Sequence, residues 1–278
     1  MNGKILVTGG GGLIGAYLRS LGGSRIVCID RAELDISDLS EFESILSGND
    51  ISWVVNCAGS AHGNDRELFA INAFCPMDMA KICSKLNVGF AFLSTARVFG
   101  VGEGPFAEDV VPCPYDSYGL SKYVGEQLVT RELSAGRYYI FRVGMVLGNV
   151  SGRNADKQIV TRLVDKGRRG QNVRAAADSW TSVVHAGCVA ERILMCIDSC
   201  LPNGIYHISG ADCISIFDLI NTVFERLSLP GRVERASSRE FSSSLPIPPS
   251  AQALKSLMIS DCGDCLQAIE KYCSEQGR

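Results

Sequence analysis

The sequence has no long apolar run and no marked excess of charge of either sign. No apolar stretch reaches the ~18 residues that a membrane helix requires, and glycines end the short apolar run near the N-terminus before it reaches the length of a secretory signal. The net charge of −3 gives no electrostatic reason to expect nucleic acid or an anionic membrane as a partner. We therefore expect a cytoplasmic protein that binds neither.

Histidine is scarce, with three residues, whereas cysteine is frequent, with twelve. The cysteines are scattered through a chain too long for a disulfide scaffold, which favours a reducing compartment. Cys262 and Cys265 have the CxxC spacing of a zinc site, but neither a second pair nor neighbouring histidines accompany them. The sequence therefore predicts no metal site, and we expect these two thiols to lie half-buried around a C-terminal helix.

The first half of the chain alternates short apolar runs with segments of helical period. The apolar runs, which are typical of strands buried on both faces, are KILVT (4–8), RIVCID (25–30), ISWVVNC (51–57), VGFAFLS (88–94) and YYIFRV (138–143). The helical segments between them are residues 13–21, 38–47, 65–86 and 117–134. Strands that alternate with helices predict a parallel sheet with right-handed crossovers.

Four consecutive glycines follow the first apolar run, in LVTGGGGLIG. In Gly9, Gly12 and Gly15 we recognise the spacing that holds a dinucleotide between a strand and a helix. The first glycine permits a tight turn, the second lets a pyrophosphate approach the backbone, and the third lets the helix and strand pack closely. The amides that begin the helix, at Leu13 and Ile14, are expected to bind the phosphates. The sequence thus predicts a dinucleotide site.

We predict that the chain has two parts, of which the first contains the dinucleotide site. Residues 1–148 are predicted to form the dinucleotide-binding domain, to which the chain returns near residues 175–200. Residues 149–174 and 201–278, where the alternation loosens, are predicted to form a smaller substrate-binding lobe. The predicted fold class is therefore α/β, a doubly wound parallel sheet (Rossmann fold) with a smaller irregular C-terminal lobe.

The second predicted strand ends at Asp30, which is followed by Arg31. A carboxylate at this point accepts hydrogen bonds from the adenosine ribose hydroxyls of NAD and repels the 2′-phosphate of NADP, whereas an arginine can pair with that phosphate. We predict NAD as the cofactor, with NADP tolerated.

Tyr118 and Lys122, in YGLSK, lie four residues apart and share one face of a predicted helix. A lysine ammonium beside a phenol stabilises the phenolate and lowers the pKa of the tyrosine from ~10 toward the working pH. Such a phenol can exchange a proton with a hydroxyl or carbonyl oxygen while hydride moves to or from a nicotinamide. Tyr115 lacks this arrangement, because Gly119 occupies the position four residues on.

A hydroxyl donor is expected to complete this site. The fourth predicted strand ends in Ser94 and Thr95. Open parallel sheets bind their ligands at the carboxyl edge, where these two side chains lie.

Five motifs carry a resemblance to a known superfamily: TGGGGLIG, NCAGSAH, FLSTARVFG, YGLSK and FRVGMVLG. They resemble those of the extended short-chain dehydrogenase/reductases, which include the nucleotide-sugar epimerases, dehydratases and reductases. Weaker matches in TSVVHAGCVA and GIYHISGADCISIFDLI extend the resemblance over nearly the whole chain. It implies NAD(P)-dependent hydride transfer at C4 of a nucleotide-activated sugar. It also implies Thr95 as the hydroxyl member, Tyr118 as acid/base, and Lys122 as its partner that also holds the nicotinamide ribose.

Further positions are expected to contact the ligands, from Asp35 to Asn72 because of the resemblance and the others because of their own chemistry. The cofactor positions outside the glycine loop, apart from Tyr118 and Lys122, are Asp30, Arg31, Asp35, Ile36, Asn56, Ala58, Gly59 and Asn72. The expected substrate positions are Ser94, Thr95, His62 and Arg174. Arg174 is chosen because the arginine that pairs with the nucleotide diphosphate in this superfamily is replaced by Thr181 and Ser182 in WTSVVHA.

Another departure from the superfamily reduces the number of reactions to consider. Dehydratases carry acidic residues just after the hydroxyl member, where this chain has Ala96 and Arg97, so dehydration is not expected. This leaves 4-epimerisation or reduction of a 4-keto group. The short chain resembles the dTDP-4-dehydrorhamnose reductases, whereas STARVFG and Asp30 resemble the UDP-galactose 4-epimerases.

Two other functions stay open. One is a non-catalytic regulatory subunit of the same fold, which binds a dinucleotide without turnover, and the other is a reductase of a smaller carbonyl compound. The complete set of Thr95, Tyr118 and Lys122 favours an enzyme, because a protein that only binds has no need of it. A homodimer also stays open as the assembly.

Overall fold

The structure is a computed structural model, and it describes residues 3–149, 158–241 and 250–276. Thirteen strands occur in this part of the chain. In chain order they are β1 (Lys4–Thr8), β2 (Ile26–Ile29), β3 (Ile51–Asn56), β4 (Gly89–Thr95), β5 (Tyr138–Val143), β6 (Met145–Leu147), β7 (Val173–Ala176), β8 (Ser179–Thr181), β9 (Val183–His185), β10 (Gly204–Ile208), β11 (Ile214–Ser215), β12 (Val233–Ala236) and β13 (Ser250–Gln252).

Nine α-helices connect or flank the strands within the described ranges. They are α1 (Leu13–Gly22), α2 (Leu39–Gly48), α3 (Asp65–Phe69), α4 (Cys75–Lys85), α5 (Ser117–Glu132), α6 (Ile159–Arg168), α7 (Ala186–Asp198), α8 (Ile216–Arg226) and α9 (Cys265–Glu275). A π-helical turn, Ala70–Phe74, joins α3 to α4, and a 3-10 turn, Ala96–Phe99, follows β4. The four helical segments predicted in the first half of the chain are confirmed.

Six strands form one parallel sheet in the order β10-β5-β4-β3-β1-β2. Leu6 is buried on one face with Phe42 of α2 and Met79 of α4. Val7 is buried on the other face with Leu18 of α1. Helices therefore cover both faces, which explains why the predicted strands are apolar almost throughout. The prediction of a doubly wound parallel sheet is confirmed.

The order of the strands reverses around β1. The chain leaves β1 for β2 on one side and then crosses to β3 on the other. In open parallel sheets, the strand ends at such a reversal flank a crevice that binds ligands. Here the crevice lies between the segments that follow Thr8 and Asn56, and the Thr8 hydroxyl donates to Oδ1 of Asn56 at 2.7 Å.

The sixth strand of the sheet comes from the second half of the chain. The segment β9–α7 precedes β10, which pairs in parallel with β5. The predicted return of the chain near 175–200 contains α7, but the sheet strand itself lies within 201–278, which the sequence assigns to the smaller lobe. It joins the large sheet because α7 packs against α1 as a crossover helix and delivers the next strand to the sheet edge. The division into two domains stays a prediction.

The remaining strands form three small sheets. In these sheets β7 pairs with β12, β6 pairs with β9, and β8 lies between β11 and β13. A separate apolar cluster joins α6, α8 and α9 to them, with Val164, Leu219 and Ile269 fully buried. Parts of both segments assigned to the smaller lobe, residues 150–157 and 242–249, lie outside the described residues.

Cys188 in α7 and Cys262 before α9 form a disulfide, with Cα atoms 6.0 Å apart. This differs from the expectation of reduced cysteines. Two thiols this far apart in sequence meet because the segment before α9 packs on α7, where Arg192 donates to the carbonyl of Asp261 at 2.9 Å. Cys265 keeps a free, buried thiol.

The part of the chain that the structure describes contains no group of three or more histidine, cysteine, aspartate or glutamate side chains arranged to hold a metal ion. Over the same ranges, no helix is both long enough and apolar enough to span a membrane.

Candidate active site

The glycine loop between β1 and α1 lies against the loop that follows β3. Gly9 has a φ of +69°, and a Cβ there would lie 2.7 Å from the amide nitrogen of Ala58. A Cβ on Gly15 would lie 2.7 Å from Cα of Gly10, so the first turn of α1 rests directly on the loop. Backbone approaches backbone at both positions, and only glycine permits this. The contacts fit the turn and packing roles that the sequence assigns to these glycines.

The N-terminus of α1 has no side-chain cap. Gly12 is its N-cap residue, and no acidic residue lies in the first turn. The amides of Leu13 and Ile14 therefore face no capping side chain, and the helix adds partial positive charge at this end. This is a donor set that suits the pyrophosphate of a dinucleotide.

The predicted adenosine positions follow β2. Asp30 is exposed, and its Oδ1 accepts a hydrogen bond from the amide of Ala32 at 2.7 Å. The side chain of Arg31 is 92% exposed and lies 3.9 Å from the carboxylate of Asp35. A backbone amide that donates to Asp35 is the main cause of its lowered pKa. Ile36 is buried beneath this turn. A carboxylate and a guanidinium thus stand side by side at the strand end.

Two buried asparagines hold the loop after β3. Oδ1 of Asn56 accepts from the Thr8 hydroxyl and from the amide of Ala58 at 2.7 and 3.2 Å. Asn72, in the π-helical turn, binds the amide and the carbonyl of Ser60 at 3.0 and 2.8 Å. Nδ2 of Asn56 is buried without a hydrogen-bond partner among the described residues. An unpaired buried donor beside the glycine loop fits a polar ligand in the crevice. Direct cofactor contacts of both asparagines stay predictions.

Thr95 ends β4, and Tyr118 is the second residue of α5. The Thr95 hydroxyl lies close enough to the Tyr118 phenol to influence its pKa, and Oγ1 of Thr95 accepts from the amide of Arg97 at 3.3 Å. Burial raises the pKa of the Tyr118 phenol, while the charge of Arg97 and the nearby hydroxyl of Thr95 act in the opposite direction. The phenol is therefore protonated at neutral pH.

The ammonium of Lys122 binds the sheet. It donates to the carbonyl of Leu93 at 2.9 Å and lies 4.6 Å from the centre of the Phe92 ring. A Cβ on Gly59 would lie 3.0 Å from Nζ, so the loop after β3 passes close to the lysine. Burial lowers the pKa of Lys122 to about 8. The prediction that this ammonium lowers the pKa of Tyr118 is wrong, because burial raises the pKa of the phenol instead. Helical spacing does not reveal how far either group is removed from water.

Ser94, the neighbour of Thr95, faces the interior. Its hydroxyl donates to the carboxylate of Glu126, which Nη2 of Arg142 binds at 2.7 Å. A contact between Ser94 and substrate stays a prediction, and the structure gives the hydroxyl this buried partner. The sequence predicts no role for Glu126 or Arg142, although two signals point to them. Glu126 lies four residues after Lys122, and Arg142 is the charged residue of the apolar run YYIFRV.

The other predicted substrate positions lie on exposed segments. His62 is exposed between β3 and α3, where its carbonyl accepts from the hydroxyl of Ser60 at 2.6 Å. Arg174 lies in β7 and pairs with Glu240, with Nη2 2.6 Å from Oε2 and both side chains about half exposed. Contacts of His62 and Arg174 with substrate stay predictions.

Solved structures of other proteins share this fold. The chain superposes with a TM-score of 0.88 on the crystal structure of dTDP-4-dehydrorhamnose reductase from Bacillus anthracis in complex with NADP, at 22% identity and covering 99% of this chain and 100% of that one. The TM-score is 0.82 for MoeE5 in complex with UDP-glucuronic acid and NAD, at 18% identity and covering 99% of each chain.

Relatives are also found by sequence. The chain is 27% identical over 246 residues to dTDP-4-dehydrorhamnose reductase of Mycolicibacterium smegmatis, covering 84% of this chain and 73% of that protein. It is 28% identical over 249 residues to dTDP-4-keto-6-deoxy-D-glucose reductase of Streptomyces niveus, covering 86% and 84%. A family model described as the RmlD substrate binding domain matches residues 3–266. Because this match spans most of the chain, the protein belongs to the RmlD substrate binding domain family.

Proposed function

We propose that this protein is an NAD(P)-dependent reductase that converts the 4-keto group of a nucleotide-activated sugar to a hydroxyl. The observation that carries the proposal is that Thr95 and Tyr118 lie together at the carboxyl edge of the sheet. Tyr118 is one helical turn from Lys122, whose ammonium lies close to the loop after β3. Two relatives support the same reaction class, since they are named as reductases of dTDP-4-dehydrorhamnose and dTDP-4-keto-6-deoxy-D-glucose. A dTDP-linked 4-keto sugar is therefore the substrate to test first.

A nicotinamide dinucleotide fits the crevice between the ends of β1 and β3. The uncapped amides of Leu13 and Ile14 would hold the pyrophosphate, and Asp30 and Arg31 would flank the adenosine ribose. Lys122 would hold the nicotinamide ribose. When bound, the dinucleotide supplies the hydride that reduces C4. Structures of the same fold that contain NADP or NAD support this choice of cofactor.

Tyr118 is the proton donor in this proposal. Because burial raises the pKa of its phenol, Tyr118 carries a proton at neutral pH, as reduction of a ketone requires. The C4 oxygen would take this proton as C4 gains the hydride, so that the carbonyl becomes a hydroxyl. The neighbouring Thr95 hydroxyl would help to hold the phenol and the substrate oxygen in place.

The test is the oxidation of NADH or NADPH by the purified protein with a dTDP-4-keto-6-deoxy sugar. Wild type is expected to turn over, and Tyr118→Phe to lower kcat by at least ~10²-fold. The affinity for the dinucleotide should not change. Tyr115→Phe is the matched control, since this exposed tyrosine precedes α5 and should leave the rate near that of wild type.

Other outcomes would replace the proposal. A 4-epimerase would invert a UDP-sugar without net consumption of dinucleotide and would copurify with it. A regulatory subunit would bind the dinucleotide and turn over none of the dTDP-, UDP- or GDP-linked sugars. A normal rate in Tyr118→Phe would remove Tyr118 from the mechanism.

A further inference from the structure

The 3-10 turn after β4 places Arg97 against both members of the proposed proton-donor pair. Its amide donates to Oγ1 of Thr95 at 3.3 Å, and its guanidinium carbon lies 5.2 Å from the centre of the Tyr118 ring. A guanidinium at this distance is attracted to the negative face of the ring. The attraction becomes stronger when the phenol loses its proton, because a full negative charge then stands near the cation.

Asp116 holds the guanidinium of Arg97 in place. Its Oδ1 accepts from the amide of Gly119 at 2.8 Å and caps α5, while its Oδ2 accepts from Nε of Arg97 at 3.1 Å and also from Nη2. One oxygen of the carboxylate therefore caps the helix, while the other binds the guanidinium. The carboxylate fixes the cation relative to the helical turn that carries Tyr118.

The start of α5 also packs on the backbone of Arg97. A Cβ on Gly119 would collide with the carbonyl oxygen of Arg97, so glycine is needed for this approach. The side chains of Arg97 and Asp116 keep 40% and 28% of their surface exposed. The cation therefore lies between solvent and the phenol ring, and it is not part of the buried core.

We propose that Arg97 is a positioning residue for the proton donor: its guanidinium, held by Asp116, orients the Tyr118 phenol and stabilises the negative charge left when the proton transfers to substrate. This inference rests on the proposed role of Tyr118. Within the described ranges, the charged groups that act on the phenol are Arg97 and Asp116, while the ammonium of Lys122 donates to the carbonyl of Leu93. The charge of Arg97 lowers the pKa of Tyr118 and that of Asp116 raises it, so the cation acts in the required direction.

The test compares Arg97→Met, which removes the charge at similar length, with Arg97→Lys, which keeps it. The matched control is Arg131→Met, at an exposed arginine near the end of α5, the helix that carries Tyr118. The first readout is the titration of Tyr118 by NMR of protein labelled with carbon-13 in the tyrosine rings, with the resonance assigned by Tyr118→Phe. The second readout is the pH dependence of kcat and KM for the reduction.

In Arg97→Met we expect Tyr118 to titrate at higher pH than in wild type, and the alkaline limb of kcat to move the same way. We expect kcat to fall by about 3- to 30-fold, the range given by loss of a cation–ring interaction, with KM nearly unchanged. In Arg97→Lys, both kcat and the titration of Tyr118 should stay close to those of wild type. Arg131→Met should change neither.

An unchanged titration of Tyr118 in Arg97→Met would overturn the proposal, as would an Arg97→Lys variant as impaired as Arg97→Met. If Arg97→Met does not fold, the comparison of Arg97→Gln with Arg97→Lys decides in the same way. The NMR titration needs no substrate, so a shifted Tyr118 without reductase activity would support the contact and contradict the proposed function. An active reductase with an unshifted Tyr118 would do the reverse.

Discussion

Glu126 and Arg142 form an ion pair in the interior, with side chains 0% and 1% exposed and with Nη2 2.7 Å from Oε2. Nε of the arginine lies 3.0 and 3.2 Å from the two carboxylate oxygens. Ser94 donates to the same carboxylate, and Nη1 of Arg142 lies 3.5 Å from Nε2 of His207. Because Glu126 follows Lys122 by one helical turn, this group of contacts ties the proposed catalytic helix to β4, β5 and β10.

Loss of one partner would leave the other charge buried without compensation. We expect Arg142→Met to lower the free energy of unfolding by about 3–5 kcal/mol, as measured by urea denaturation. The control is the exposed pair Lys85–Glu43, where Lys85→Met should change it by less than about 1 kcal/mol. Adding Glu126→Gln to Arg142→Met should recover part of the loss. Equal effects of the two single methionine substitutions would contradict this account.

The carboxylate of Asp30 is expected to decide the preference for cofactor. Asp30→Ala should weaken NAD binding by about 10- to 100-fold and should not weaken NADP, because the repulsion of the 2′-phosphate disappears while Arg31 stays. Isothermal titration with both dinucleotides measures this. Asp30→Asn is the control, since it removes the charge and keeps an acceptor for the amide of Ala32. An equal loss for both dinucleotides would mean that Asp30 acts on local structure alone.

Arg174 and Glu240 form a pair that a substrate diphosphate would have to break. We expect Arg174→Ala to raise the KM for the nucleotide sugar by about 10- to 100-fold, as for a lost hydrogen bond to a charged group. Glu240→Gln frees the guanidinium and should bind dTDP or UDP at least as tightly as wild type does. Dinucleotide affinity should be unchanged in both variants. If Arg174→Ala binds dTDP, UDP and GDP as tightly as the wild-type protein does, this arginine is not part of the substrate site.

We expect His185 to make the free energy of unfolding depend on pH. It is buried at the start of α7, Nδ1 accepts from the amide of Gly187 at 3.1 Å, and Nε2 lies 3.1 Å from Oε1 of Glu275. Burial lowers the pKa of His185, against the opposite influence of Glu275. The unfolded chain therefore binds the proton more tightly than the folded chain does, and stability decreases as the pH falls through the ordinary histidine pKa of about 6.5.

Urea denaturation between about pH 7 and pH 5 should show this loss of stability. His185→Asn should reduce the dependence on pH, because asparagine can cap α7 without titrating in this range. If the free energy of unfolding changes with pH equally in the variant and in wild type, groups other than His185 cause the change.

The sequence alone predicts the first five strands of the sheet and the helices that cover it. The strands β1 to β5 and the helices between them follow from local signals, because a strand buried on both faces must be apolar throughout and a covering helix must repeat its apolar positions at helical spacing. The glycine loop is equally local, since the turn at Gly9 and the close packing at Gly15 need glycine whatever else the chain contains. The shared helix face of Tyr118 and Lys122 follows from spacing alone.

Which distant residues meet, and how deeply they are buried, follows from the packing of the whole fold. The ion pair of Glu126 and Arg142, the disulfide of Cys188 and Cys262, and the placing of β10 in the large sheet all join segments that no local pattern relates. The direction of the pKa shift of Tyr118 belongs here too. Removal of the phenol from water raises its pKa against the opposing cation of Arg97, and both influences arise only when β4, the turn after it and α5 pack together.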